Sequence, residues 1–340
     1  MYTKPLLRMA ALLATITLAV ASCSGDDGSE SATGDHGAGG RGSLSGEIVI
    51  SGSSTVEPIS VVVAEAYRSI QPDVNIFVSG PGTGDGFKAF CAGETDISDA
   101  SRPIKESEAE ECAANGIDYV ELKVAVDGIA VVTSADNSDV ECLAFGDLYA
   151  LVGPESTGID NWSDLNNLAA EAGGNAGFAD AELVISAPGT ESGTYDSFVE
   201  IMVEDIADKR GQEPTIRPDY SSAADDNVII ETINTNPTSF GWVGFAFATE
   251  AANVKLVPIA EEAGGECIPA TPDTIASSQY PIARDLFIYV NQAKAANSQA
   301  LVDFVDHYLG FGLDEASSRA GYVGLTDEAK NETRSAWSNR

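Results

Sequence analysis

Three segments of the chain place serine, threonine and glycine residues between a predicted strand and a predicted helix. These residues are Ser53, Ser54 and Thr55 in ISGSSTVEP, Thr83 in VSGPGTGDGFKAF, and Ser192, Gly193 and Thr194 in ISAPGTESGTYDSF. Unpaired backbone N–H groups at a helix start, with hydroxyl groups beside them, donate hydrogen bonds to an anion. Glycine lets the backbone approach such a ligand closely. One segment alone is typical of an ordinary helix cap, but three in one chain favour an anion-binding site.

The segment SDASRPI adds a positive charge to the predicted site. In it, Arg102 follows Asp99 and Ser101 at a predicted strand-to-turn boundary. A guanidinium group is planar and matches an oxyanion with two parallel hydrogen bonds. Lys and Arg number only 18 in the chain, against 53 Asp and Glu, so Arg102 is also an obvious partner for an ordinary ion pair. Both roles are compatible, because Glu191 or Asp99 can orient an arginine that binds the anion.

The overall charge and the histidine content exclude two classes of function. The formal net charge of −35 argues against nucleic acid as a partner. A hydrolase with Ser54 or Ser192 as the nucleophile is the alternative from a different class. It requires a general base beside the serine, and the chain has only two histidines, neither of them near these serines in sequence. The segment GTESGTY also fails to match the Gly-x-Ser-x-Gly elbow, so we expect a binding protein and not an enzyme.

The N-terminus has the pattern of an export signal. Lys4 and Arg8 precede the apolar run MAALLATITLAVA, which predicts a signal peptide over residues 1–22. The following VASC resembles a bacterial lipobox and implies acylation of Cys23, although a plain signal peptide with an incidental cysteine is the alternative. Residues 23–46 are rich in Gly, Ser and Asp and predict a flexible tether. We expect the lipid to be the only membrane anchor, because no later segment is long and apolar enough to span a bilayer.

Four cysteines remain after Cys23, and an even number in an exported chain indicates two disulfides. Three pairings are possible. The short segment between Cys91 and Cys112 favours that pair, with Cys142 and Cys267 forming the other. Their spacing is too wide for a metal site, and we expect no metal.

From Glu47 onward, predicted strands and helices alternate, which is typical of mostly parallel α/β sheets with helices on their faces. The pattern suits two lobes with connections that cross between them. We place lobe 1 at residues 47–135 and 275–335, and lobe 2 at residues 136–274. Ligands in such architectures bind where strand ends and helix starts face a cleft.

Taken together, these motifs resemble the phosphate-binding subunit of bacterial phosphate ABC importers, the PstS family. The similarity runs in order through SGSSTVEP, GTGDGFKAFCAGETDISDASRPI, PGTESGTYDSF, DDNVI and DLFIYV. It implies a two-lobed periplasmic-binding-protein fold of type II, with a hinge and a cleft. It also implies delivery of inorganic phosphate to a membrane permease. We expect a monomer without a cofactor that captures the phosphate by lobe closure. The expected location is the periplasm or the outer face of the cytoplasmic membrane.

The resemblance carries phosphate contacts onto both lobes. The residues concerned are Ser54, Thr55, Val56, Thr83, Ser101, Arg102, Ser192, Gly193 and Thr194. Some members of the family place the site arginine where this chain has Pro188, and an aspartate where it has Ser101. Arg102 is therefore the expected arginine here. The acceptor for the O–H of monohydrogen phosphate stays open, because Ser101 aligns better whereas Asp99 is chemically more apt. Another tetrahedral oxyanion such as sulfate or molybdate, or a phosphate sensor or scavenger without a transporter, is the alternative function.

Overall fold

The structure is a computed structural model of the chain that describes residues 43–190 and 192–340. Four predictions fall outside these residues: the signal peptide 1–22, the lipidated Cys23, the linker up to residue 42, and a role for Glu191. Within the described ranges, no helix is both long and apolar enough to cross a membrane.

The strands form one large mixed sheet and one small sheet. They are β1 Gly46–Gly52, β2 Val74–Ser79, β3 Ile97–Ala100, β4 Tyr119–Ser134, β5 Leu143–Ala144, β6 Val184–Ala187, β7 Ser221–Ser222, β8 Ser239–Gly244, β9 Val254–Leu256, β10 Ile259–Ala260 and β11 Ala283–Asn291. The order across the large sheet is β2-β1-β3-β11-β4-β8-β6-β7, with β9 also paired to β4, while β5 pairs with β10. Strand β1 is parallel to β2 and β3, and β6 is parallel to β7 and β8.

The helices pack against this sheet. They are α1 Glu57–Arg68, α2 Thr83–Cys91, α3 Glu106–Ala114, α4 Phe145–Val152, α5 Asn166–Glu171, α6 Gly193–Phe198, α7 Glu204–Arg210, α8 Asp226–Thr235, α9 Phe245–Glu250, α10 Pro272–Ala276, α11 Gln292–Asn297, α12 Gln299–His307, α13 Ser317–Arg319 and α14 Asp327–Ser338. A π-helical segment, Val199–Val203, joins α6 to α7. Helix α1 illustrates why these segments form helices that pack on the sheet. Pro58 lies in its first turn, and Ile59, Val63 and Tyr67 recur every four residues on its buried face.

Strand β4 connects the two halves of the large sheet. Its residues up to Gly128 pair with β11, whereas Ile129 to Ser134 pair with β8 and β9. Both β4 and β11 run antiparallel to their partners in these pairs, so the sheet is more mixed than the alternation of elements predicts. The reason is that β4 takes the chain from one half of the sheet to the other and β11 brings it back, so the two strands run in opposite directions. At the junction, a Cβ on Gly128 would lie 2.7 Å from Cδ1 of Ile275 in α10, so the packing of α10 against this point of β4 favours glycine.

Two disulfides brace the fold, and both are the pairings that the spacing favours. Cys91 and Cys112 join the end of α2 to α3 across 21 residues. Cys142 and Cys267 close a separation of 125 residues. The first bridge fixes the position of α2, the helix that begins at Thr83.

Candidate functional site

A cleft of about 350 Å³ lies at the starts of helices α1 and α2, with α6 and β11 opposite. Its lining includes Ser53, Ser54, Thr55, Thr83, Ser101, Tyr195, Asp196, Glu200 and Arg284. The hydroxyl groups come from segments that are far apart in sequence, as predicted for an anion site. The carboxylates and Arg284 were not predicted.

The turn between β1 and α1 supplies the first group of hydroxyls. The turn is held tightly, because the Ser53 N–H donates to the Asp99 carbonyl at 2.8 Å and the Thr55 N–H donates to Ser53 Oγ at 3.2 Å. Gly52 precedes it with φ of 152°, and a Cβ there would lie 2.0 Å from the Asp99 carbonyl oxygen. Val56, whose backbone is the predicted contact, has its side chain buried in the core, and its N–H donates to the Ser53 carbonyl at 3.2 Å.

The second group of hydroxyls brings together two predicted residues. Thr83 opens helix α2, and its Oγ1 lies 3.0 Å from Ser101 Oγ. The Ser101 N–H donates to the same Oγ1 at 3.2 Å. Both side chains are buried. Hydroxyl groups can donate and accept, so this pair can turn toward an anion while remaining hydrogen-bonded to each other.

The predicted Ser-Gly-Thr segment lies against the first turn. Ser192 caps helix α6 by accepting from the Thr194 N–H at 3.2 Å. A Cβ built on Gly193 would lie 3.5 Å from both Cα and Oγ1 of Thr55, so the two backbones are close. Phe198, which stacks on Trp242 with ring centroids 4.4 Å apart, anchors α6 to the sheet.

The face of α6 that meets the cleft is acidic. Ser54 Oγ donates to Asp196 Oδ2 at 3.4 Å, and Thr55 Oγ1 lies 3.4 Å from Ser197 Oγ. Glu200 follows one turn after Asp196. Burial raises the pKa of Asp196, and the hydrogen bond from Ser54 offsets part of that rise.

Arg284 is the cation of the cleft, and sequence reasoning missed it. It is the second residue of β11, and its Nη2 donates to Thr55 Oγ1 at 2.9 Å and also to Ser197 Oγ. It forms ion pairs with Glu200 and with Asp127, whose Oδ2 lies 3.6 Å from Nε. Burial raises the pKa of Asp127, whereas Arg284 and Ser197 act to lower it. The usable signal was an arginine at the start of the predicted strand ARDLFIYV.

Arg102, the predicted site arginine, lies in an adjoining cavity of about 500 Å³. The cavity shares four lining residues with the cleft: Thr83, Ser101, Glu200 and Arg284. Glu108 holds the Arg102 guanidinium with two hydrogen bonds of 2.7 and 2.8 Å, and these raise the pKa of Arg102. The guanidinium also lies 5.6 Å from the ring centre of Phe87. Arg102 therefore forms the ordinary ion pair that its residue type predicts, with Glu108 as the partner and not Asp99.

Asp99 is buried beneath helix α1. Its Oδ1 accepts from Ser60 Oγ at 3.0 Å, and the Ser60 hydroxyl lies 3.1 Å from that of Tyr308. Its Oδ2 has no hydrogen-bond partner among the described residues. Burial raises the pKa of Asp99 to about 7. The carboxyl that was chemically apt to accept a ligand proton thus faces Ser60, and it is Ser101 that lines the cleft.

Within the part of the chain that the structure describes, no group of three or more His, Cys, Asp or Glu side chains is arranged to hold a metal ion. The polar side chains that line the cleft are hydroxyl groups, the Arg284 guanidinium and the carboxylates of Asp196 and Glu200. This set suits a small oxyanion that both accepts and donates hydrogen bonds.

This chain is similar in sequence and architecture to several known proteins. Residues 33–310 match the family profile of the PBP superfamily domain. Protein SphX of Synechocystis sp. is 36% identical over 288 residues, which cover 84% of this chain and 80% of that protein. Phosphate-binding protein PstS of Staphylococcus aureus is 31% identical over 298 residues, which cover 87% of this chain and 83% of that protein. The crystal structure of a possible phosphate binding protein from Planctomyces limnophilus is 33% identical, with a TM-score of 0.77 over 87% of this chain and 99% of that chain.

Proposed function

Because the chain belongs to the PBP superfamily, and within it to the family of SphX and the phosphate-binding protein PstS, we propose that it binds inorganic phosphate outside the cytoplasm for an ABC importer. The resemblance that the motifs carry and the predicted fold class are confirmed by these relatives. The observation that carries the proposal is the cleft, where hydroxyl groups from several separate segments line the same cavity as Arg284, which donates to Thr55 Oγ1. Binders of sulfate or molybdate are not favoured by the family.

Phosphate is held by donors from both sides of the cleft. The proposed contacts are those carried over from the family, namely Ser54, Thr55, Val56, Thr83, Ser101, Arg102, Ser192, Gly193 and Thr194, with Arg284 added. Lobe closure brings these donors around the anion and removes water, so each hydrogen bond strengthens. The closeness of Gly193 to Thr55 supports contacts from α6. Arg102 takes part only if it shares its guanidinium with Glu108.

No bond is made or broken in this function, and the family consists of solute-binding proteins. A serine hydrolase needs an imidazole or another base beside the nucleophile. Among the described residues the single histidine is His307, which stacks on Phe311 with ring centroids 5.4 Å apart. The Ser54 hydroxyl faces a carboxylate, Asp196, across the cleft. We expect no turnover of a phosphate ester.

The chain is tethered to the membrane by a lipid on Cys23 and works as a monomer. The signal peptide 1–22 directs export, and the linker 23–46 lets the domain reach the permease. The proposed lobes are residues 47–135 with 275–335, and residues 136–274. The change of strand partner at Gly128 supports a first crossing inside β4.

A calorimetric titration of the purified chain with phosphate, sulfate and molybdate tests the proposal. We expect one phosphate per chain and sulfate binding at least about a hundredfold weaker, because sulfate lacks the O–H that an acceptor in the cleft receives from monohydrogen phosphate. Sulfate binding as tight as phosphate would overturn the assignment of the anion. Phosphate uptake by cells that lack the protein separates an importer subunit from a sensor or scavenger.

A further inference from the structure

Protein acceptors already engage both terminal nitrogens of the Arg284 guanidinium. Nη1 pairs with the Glu200 carboxylate, and Nη2 donates to Thr55 and Ser197. Behind them lies Asp127, on the Nε side. Both Nη2 hydrogens are therefore engaged, so an anion that binds Nη1 and Nη2 side by side must take the place of one of these acceptors.

The four side chains around the guanidinium differ in their freedom to move. Asp127, Thr55 and Ser197 are buried, and Ser197 is tied to Asp127 by a hydrogen bond of 2.8 Å. Glu200 stands apart, because its side chain is 41% exposed whereas that of Arg284 is only 10% exposed. Glu200 is thus the acceptor that can swing into solvent, where its charge is hydrated.

We propose that Glu200 is an internal competitor for Arg284 and so sets the affinity of the cleft for its anion. The inference rests on the proposed function. A carboxylate and a phosphate oxyanion cannot both accept from Nη1 at close range without strong repulsion, whereas Asp127 lies away from this position, on the Nε side. Phosphate therefore binds to the fraction of molecules in which Glu200 has left Arg284. Glu200 acts through Arg284 and is a positioning residue.

The size of the effect follows from this fraction. A partly exposed ion pair is occupied several times more often than it is open, and the apparent affinity falls by the open fraction. Removing the competing charge is expected to tighten phosphate binding about two- to sixfold. A residue with a merely structural role would weaken binding when substituted, so the direction of the change is informative.

The test compares Glu200→Gln with Glu204→Gln. Glu204 is one helical turn further on, is exposed, and lines the adjoining cavity, so the two variants lose the same charge from neighbouring positions. Phosphate dissociation constants are measured by calorimetry for both variants and for the wild-type chain. We expect tighter binding in Glu200→Gln than in Glu204→Gln, and no gain from Glu200→Gln in an Arg284→Met background.

Two results would overturn the inference. Weaker phosphate binding in both Glu200→Gln and Glu200→Ala would make Glu200 a ligand of the anion and not its competitor. Equal binding in Glu200→Gln and Glu204→Gln would leave only a general charge effect. Failure of the wild-type chain to bind phosphate would instead contradict the proposed function, and thermal denaturation shows whether each variant is folded.

Discussion

Replacing Arg284 by methionine tests the cleft most directly. The Arg284 side chain is only 10% exposed and donates to Thr55 Oγ1 at 2.9 Å. Removing one partner of a desolvated charge contact weakens binding by about 2–5 kcal/mol, which is about 30- to 5,000-fold in the dissociation constant. Calorimetric titration with phosphate measures this loss.

The same substitution also affects folding, because it leaves the carboxylate of Asp127 buried without its cation. Asp127 is 3% exposed, and an unpaired buried charge costs about 3–5 kcal/mol of stability. The double variant Arg284→Met/Asp127→Asn removes that charge as well. We expect it to recover unfolding free energy in urea denaturation while phosphate binding stays weak, which separates the loss of a ligand contact from the loss of the fold.

Arg102→Met provides the comparison between the two arginines. Glu108 holds Arg102 in the adjoining cavity, so its removal is expected to weaken phosphate binding by at most about tenfold, or about 1.4 kcal/mol. A larger loss for Arg102→Met than for Arg284→Met would refute the assignment of Arg284 as the principal cation. Less than threefold weakening in Arg284→Met would refute it as well.

Two further predictions concern stability. Asp99 has a pKa raised to about 7 in the native state, so between about pH 4 and pH 7 the native chain keeps a proton that the unfolded chain has lost, and stability falls as pH rises through this window. Asp99→Asn is expected to flatten that slope and to gain up to about 4 kcal/mol at alkaline pH; an unchanged slope in urea denaturation contradicts it. Replacing Cys142 and Cys267 by alanine is expected to lower the unfolding free energy by about 5 kcal/mol, and replacing Cys91 and Cys112 by about 3 kcal/mol. The difference arises because the Cys142–Cys267 disulfide closes 125 residues and the Cys91–Cys112 disulfide closes 21. The reverse order of midpoints in chemical denaturation would exclude this explanation.

Local sequence was enough to predict the parts of the site that belong to a single strand-turn-helix segment. The hydroxyls of Ser54, Thr55 and Thr83 line the cleft, because a glycine-containing turn before a helix has few ways to fold. The two disulfide pairings could also be predicted, because Cys91 and Cys112 flank a short segment and the other two cysteines are then left to pair. The alternation of strands and helices indicated the α/β class for the same local reason.

Which charged side chains line the cleft depends on the pairing of strands that are far apart in sequence. Arg284 reaches it because Ala283 pairs with Gly128 at the crossing of β11 and β4, and nothing near Arg284 in sequence predicts that neighbour. The same pairing places Asp127 behind the guanidinium. Arg102 has the expected residue type, but Glu108 binds its guanidinium once α3 has folded beside it. The residue type alone determines the charge of a side chain. Its partner depends on which elements pack together, and only the tertiary structure determines that packing.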